Sequence, residues 1–185
     1  MRIAWLLSSA VLAASAQETG VRFDPAQTHV SFTLSDVLHT VHGTFRLREG
    51  GMHFDPDTGK ASGRLVVDAT SGDSGSHARD SRMHRNILES AKYPDIVFAP
   101  DRIDGRVNLE GDSQVQVHGG FSIHGALHEL LLPARVHANH GQVSVTTHFD
   151  VPYVKWGMKN PGTLFLRVGD QVRIDIEAAG SLTRP

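Results

Sequence analysis

Not one of the 185 residues is cysteine. That absence excludes disulfide staples, thiol nucleophiles, thiolate metal centres and a lipid-attachment cysteine, so the fold must be held by its core alone. Aromatic residues are scarce at 6%, which leaves most apolar packing to aliphatic side chains. There is no basic excess: eighteen Lys and Arg against twenty Asp and Glu give a formal charge of −2. That balance lacks the basic stripe expected of a nucleic-acid binder or of a protein drawn to an anionic membrane. Long hydrophobic runs are missing too. The main one, Ile3 to Ala14, falls short of the about 20 residues a bilayer span needs.

That run follows a positive start, Met1-Arg2, and precedes the small-residue site Ala14-Ser15-Ala16, the three parts of a secretory signal. Residues 1–16 are therefore expected to be removed before Gln17. Residues 17–185 then form a single domain, long enough for one sizeable core. Losing Arg2 moves the formal charge from −2 to −3.

From Thr28 onward the dominant pattern is period-two alternation in short segments. Val30, Phe32 and Leu34 oppose His29, Ser31 and Thr33, and Val41, Gly43, Phe45 and Leu47 repeat the pattern. Glu49-Gly50-Gly51 reads as a turn into Met52-His53-Phe54, and Asp55-Pro56-Asp57-Thr58-Gly59 as a longer one. Gly63, Leu65 and Val67 then alternate with Arg64, Val66 and Asp68. Ile96 to Ala99 opens a strand that Pro100 ends or bends, and Ile103, Val107 and Leu109 suggest another around Asp104-Gly105. Val115, Val117, Gly119 and Phe121 form one row, with Gly119-Gly120 as the expected bulge. Leu130 to Val136 follows, interrupted by Pro133. Val143 to Val151 is the cleanest alternating run, and Val168, Val172, Ile174, Ile176 and Ala178 form the last row.

Only Ser76 to Ala99 breaks the pattern. Met83, Ile87 and Ala91, with Leu88, share one side of a helix, while Arg79, Arg82, Arg85 and Glu89 stay in water. Asp73, Ser74 and Ser76 are candidate N-caps, Lys92 suits the negative end, and Pro94 stops the helix. The whole reads as all-β: an antiparallel barrel of about eight to ten strands with one short α-helix near its mouth. An eight-stranded barrel is either filled by its own side chains or holds one small ligand. Phe32, Phe45, Phe98, Phe121 and Phe149 point inward beside small residues such as Gly43, Gly63 and Gly119, which either leave room for a guest or merely permit strand coiling.

Chemistry-bearing constellations are sparse. Twelve histidines stand out, but His124 and His128 do not share a helical face, and the pairs His39/His42 and His137/His140 lie in strand or loop. Most histidines alternate with apolar residues and so face outward, which argues against a native metal site. No Gly-x-Ser-x-Gly turn and no phosphate-binding loop occurs. Ser74-Gly75-Ser76-His77 reads as a pre-helix cap rather than a nucleophile. Arg79 and Asp80, neighbours at the helix start, either contact a ligand headgroup at the mouth or clasp the helix to the sheet.

The same residues resemble a known family. Phe23-Asp24, Thr28-His29-Val30-Ser31-Phe32, Val41-His42-Gly43-Thr44-Phe45, Arg79-Asp80 with Met83, Lys92-Tyr93-Pro94-Asp95-Ile96-Val97-Phe98, Gly119 to Gly125, Trp156-Gly157-Met158 and Val168 to Val172 run in the order of the YceI-like family. The resemblance covers about residues 21 to 180. It implies a lipocalin-like barrel that holds a long apolar molecule, typically a polyisoprenoid, in the bacterial periplasm, without catalysis and without a cofactor. The ligand set expected on this basis is Phe32, Phe45, Leu65, Val67, Arg79, Asp80, Met83, Ile87, Phe98, Phe121, Phe149, Trp156 and Met158. The loop Tyr153 to Pro161 departs from the family pattern, with Tyr153 where an arginine is usual and Lys155 where an acid is usual.

The expected function is thus to carry or sequester a polyprenyl chain or isoprenoid quinone as monomer or homodimer, with no membrane span and no nucleic acid. Each five-carbon unit buried is worth roughly 3 kcal/mol gross, so tail length should dominate affinity once the association cost of at least about 4 kcal/mol is met. Two alternatives stay open at this point: a small hydrolase or isomerase using His77, Asp80 or His124, and a packed barrel acting as a stress-related protein-binding module.

Overall fold

The alternating rows become nine antiparallel strands in the computed structural model, which describes residues 18–35, 40–162 and 168–183. The expected signal segment and His39 lie outside those residues. In chain order the strands are β1 (Thr19–Phe23), β2 (His29–Ser35), β3 (Thr40–Phe54), β4 (Ala61–Asp73), β5 (Asp95–Asp104), β6 (Gly111–Ile123), β7 (Ala126–Asn139), β8 (Gln142–Val151) and β9 (Val172–Thr183). Neighbours run β3-β2-β9-β8-β7-β6-β5-β4, and β4 returns to pair with β3. Eight strands therefore close on themselves, so that each strand of the ring has a neighbour on both sides.

β1 is the extra strand. It pairs with the far halves of β3 and β9 while β2 pairs with their near halves. β1 and β2 thus act as one interrupted stave, broken by a 3-10 turn at Pro25–Gln27. Asp24 caps that turn by accepting a hydrogen bond from the Ala26 amide at 2.9 Å, and its own amide donates to the Ala179 carbonyl at 2.8 Å.

Several local expectations need correcting. Glu49-Gly50-Gly51 is no turn, because β3 runs straight through it with Arg48 as an extra residue opposite β4. Gly50 and Gly51 stay extended in the ladder opposite Leu65 and Arg64 of β4, and Phe23 of β1 packs over Gly50, where a Cβ would meet the Phe23 Cβ at 3.3 Å. Gly119-Gly120 is not the bulge either. The inserted residue is Asp101 on the facing strand, where Pro100 pairs with Gly119 and Arg102 with His118. β5 continues past Pro100 to Asp104, while Val107 and Leu109 lie in the following loop rather than in a strand. Pro133 does not interrupt β7. The turn at Asp55–Gly59 forms as expected, and Gly59 takes a φ of +72° that only glycine adopts without strain.

The helix is shorter than its apolar spacing suggests. α1 (His77–Arg82) passes into a π turn over Met83–Ile87 and ends at Leu88. Glu89 adopts a left-handed φ of +46°, which breaks the ladder before Ala91, and Ala91 is exposed. The wider π turn still brings Met83, Ile87 and Leu88 to the barrel side. His84 pins the turn down, one ring nitrogen 3.0 Å from the Gly72 carbonyl and the other 3.1 Å from the Ser90 hydroxyl.

Candidate functional site

β6 has thirteen residues, so at about 3.3 Å per residue and a tilt near 40° the wall stands roughly 30 Å tall. The space inside is not filled. Two chambers lie along the axis, of about 150 Å³ at the β1 end and about 170 Å³ beneath the helix. Val30, Val67, Ile96, Phe121, Phe149 and Ile176 line both, so the chambers meet at a common waist. Exposure tells the same story. Val66 points to the outer wall yet is 1% exposed, whereas the inward Leu65 and Val67 keep part of their surface open to the interior.

The inward glycines do not make this room. A Cβ on Gly43 would meet the Phe32 ring at 2.3 Å, and one on Gly119 would meet the Phe98 ring at 2.8 Å. Neighbouring rings already occupy both places. The hollow arises instead because the remaining inward rows are valine, alanine and threonine, too short to reach across an eight-stranded barrel. In the lower chamber these are Val115, Ala134, Val143, Val145 and Ala178, with Val107 and Leu109 at its end.

Of the expected ligand set, Leu65, Val67, Phe98, Phe121 and Phe149 line the lower chamber. Phe32, Phe45, Arg79, Met83, Ile87 and Met158 line the upper one, together with Val67, Phe121 and Phe149. Two members stand apart. Trp156 is absent from both linings, its ring stacked on His128 at 4.0 Å and 5.8 Å from Phe121. Asp80 turns to the cap, where it accepts hydrogen bonds from the Ser74 amide at 2.9 Å and the Ser74 hydroxyl at 2.6 Å.

Arg79 joins the same knot, donating to the Ser74 carbonyl at 3.1 Å. Partial burial pushes the Asp80 carboxyl up, but the Ser74 donors and the charges of His84 and Arg79 outweigh it and hold the group below the usual carboxylate range. The helix N-terminus is therefore clasped by Asp80, not by Ser76, whose side chain makes no capping bond. Arg82, which lines the upper chamber despite its expected solvent position, donates to the Pro161 carbonyl at 3.3 Å and ties helix to loop.

Residues missed from sequence include Arg82, Tyr153 and Val41, all on the upper chamber. Tyr153 is buried and donates its hydroxyl to the Gly169 carbonyl at 2.6 Å. Burial, with Asp170 nearby, pushes its phenol up to about 12. His128 also escaped the outward assignment: it pairs with inward Phe121, and its Nε2 is buried without a partner. Its parity with the inward Leu132, Ala134 and Val136 of the same strand was the signal that could have found it. Among the described residues no group of His, Asp and Glu is placed to hold a metal ion. No helix among them is long and apolar enough to cross a membrane.

A model of the YceI-like domain matches residues 22–179. Among solved structures, BcnA of Burkholderia cenocepacia superposes with a TM-score of 0.69 at 19% identity, over 85% of this chain and 98% of that one. A polyisoprenoid binding domain from Saccharophagus degradans, implicated in plant cell wall breakdown, gives 0.65 at 17% identity, over 88% and 98%. The YceI protein of Campylobacter jejuni gives 0.52 at 12% identity, over 100% and 93%. Among curated proteins none matches.

Proposed function

The chain belongs to the YceI-like family, and from that premise we propose that it binds a long apolar lipid of the polyisoprenoid or isoprenoid-quinone type and carries or sequesters it in the periplasm. The observation that carries this reading is the pair of adjoining chambers, sharing six wall residues, with an almost wholly apolar lining. Support also comes from the solved Saccharophagus degradans domain, which is a polyisoprenoid binder. A flexible chain of isoprene units suits a narrow column pinched at the Phe121–Phe149 waist. The polar end belongs at the mouth, where Ser74, Arg79 and Arg82 are the polar side chains at the rim and two guanidinium groups favour an acceptor or anionic headgroup.

Binding rather than turnover fits this interior. Among the described residues neither chamber wall carries a carboxylate or an imidazole, and the Tyr153 phenol on the upper one is engaged with the Gly169 carbonyl and pushed up to about 12, which leaves general acid–base work poorly served. Delivery to the periplasm rests on the secretory pattern of residues 1–16. Mass spectrometry of lipids extracted from freshly purified, natively exported protein tests the proposal. Enrichment of a prenyl species, on a chain whose N-terminus is Gln17, is the expected result. Extracts that match the bulk lipid pool would overturn it.

A further inference from the structure

The barrel wall parts between β7 and β8. β6 and β7 pair down to Ile123 opposite Ala126, and β8 and β9 pair to Val151 opposite Val172. Between β7 and β8 the ladder stops at Ala134 opposite Thr147. Among the described residues, 126–133 of β7 thus have no strand partner on that side.

Trp156 fills the wedge. Its stack on His128 and its contact with Phe121 place it directly behind a ring that lines both chambers. The turn that carries it, 152–158, is bonded to itself and to the β9 side. Met158 N–H donates to the Tyr153 carbonyl at 3.0 Å, Val154 N–H to the Asp170 carbonyl at 3.4 Å, and Gly157 completes the turn at a φ of +91°. Among the described residues none of its hydrogen bonds reaches β7. Only side-chain stacking holds the plug to that lip.

Closing the seam also strands two polar atoms. Among the described residues His128 Nε2 and Thr147 Oγ1, one on each strand that borders the gap, are buried and find no hydrogen-bond partner. Water admitted at the seam would satisfy such atoms, which lowers the cost of opening. Outside, Leu127 is 71% and Leu131 49% exposed, and among the described residues they are the exposed large hydrophobics. Both stand on the unladdered stretch of β7. Glu129 and Asp150 face out nearby and offset the exposed Lys155 and Lys159, so apolar contact rather than charge is what this lip offers.

We propose that this seam is a side entrance through which a prenyl or acyl chain passes from a lipid surface into the barrel, with Leu127 and Leu131 seated in that surface and Trp156 on His128 as the plug. The occupant of the lip is a lipid surface because this apolar lip flanks His128, which through Trp156 and Phe121 adjoins two chambers of the same apolar chemistry. The proposal rests on the carrier reading above.

The test uses dansyl-labelled geranylgeraniol in phosphatidylcholine vesicles, with transfer to delipidated full-length protein followed by stopped-flow fluorescence. Leu127→Ser/Leu131→Ser, at exposed positions that leave the fold intact, should slow transfer from vesicles by about tenfold, the worth of roughly one leucine burial. Affinity for the free probe should stay unchanged. Trp156→Ala should speed entry and exit together. Transfer indifferent to both variants overturns the seam and places entry at the helical mouth. A dimer that the serine pair dissolves without slowing transfer also overturns it, because a second copy then covers the edge. Failure of the wild-type protein to bind free probe overturns the carrier reading itself, and the seam with it.

Discussion

Val145 offers the sharpest test of the hollow interior. It faces inward on β8, between Val136 of β7 and Ala178 of β9, and lines the lower chamber. Val145→Phe enlarges the side chain by roughly four carbons, and in a close-packed core such overfilling costs typically about 1–3 kcal/mol. Here the ring has somewhere to go. The chamber is about 150 Å³, a size at which a dry apolar cavity admits benzene. At roughly 0.8 kcal/mol per carbon buried, the gross gain is about 3 kcal/mol, reduced by ordering and imperfect fit to about 1–2 kcal/mol of net stabilisation. The same ring displaces about one five-carbon unit of a bound tail, which at roughly 3 kcal/mol weakens binding about 100-fold. Urea unfolding of the delipidated protein and a fluorescence titration with a long prenol measure the two effects. A variant destabilised by about 1–3 kcal/mol with undiminished prenol affinity would refute the reasoning, since it would mean that the inner wall is already packed and the tail lies elsewhere.

Two pH effects follow from the groups around the mouth. Asp80 has a lowered pKa in the folded protein, so its contribution is present above the ordinary value of 3.8 and fades as pH falls through the folded value. Asp80→Asn should cost about 1 kcal/mol at neutral pH, a hydrogen-bonded charge discounted for partial exposure. It should also loosen hydrogen-exchange protection of 77–87 and flatten the acid limb of stability below pH 3.8. An unchanged acid limb would show that the Ser74 clasp carries no stability. Tyr153 has a raised pKa, so its contribution is complete below pH 10 and is lost as pH climbs toward about 12. Melting temperature should fall across that window in the wild type and less so in Tyr153→Phe, and equal slopes in the two proteins would exclude a role for the phenol.

Much of the architecture can be read from side-chain alternation, because period two with one wet face leaves few options but a closed antiparallel sheet. The helix was legible for the same reason, as a lapse in that rhythm at Met83 and Ile87. Its true end was not, since Glu89 breaks it through a backbone conformation that residue type does not announce. Gly50-Gly51 misleads locally because glycine is free to turn, and what keeps it extended is pairing with Leu65 and Arg64 of another strand. The chamber-lining rings were readable as inward positions. Whether rings meet or leave a void depends on pairings such as Phe32 over Gly43, a property of tertiary register. The seam beside His128 belongs to the same class, visible only when β7 and β8 are seen to part at Thr147.

The interrupted stave bears on the order of assembly. Ser31 meets Asp175 across 144 positions of chain, and β9 must seat against β8 on one flank and against both β1 and β2 on the other. Until this final dozen-residue segment docks, the ring gapes and the greasy inner surface is open to water. Such distant pairings are slow to find. Container and cavity thus come into being in the same late step, and whatever delays β9 delays the moment at which the protein can hold anything at all.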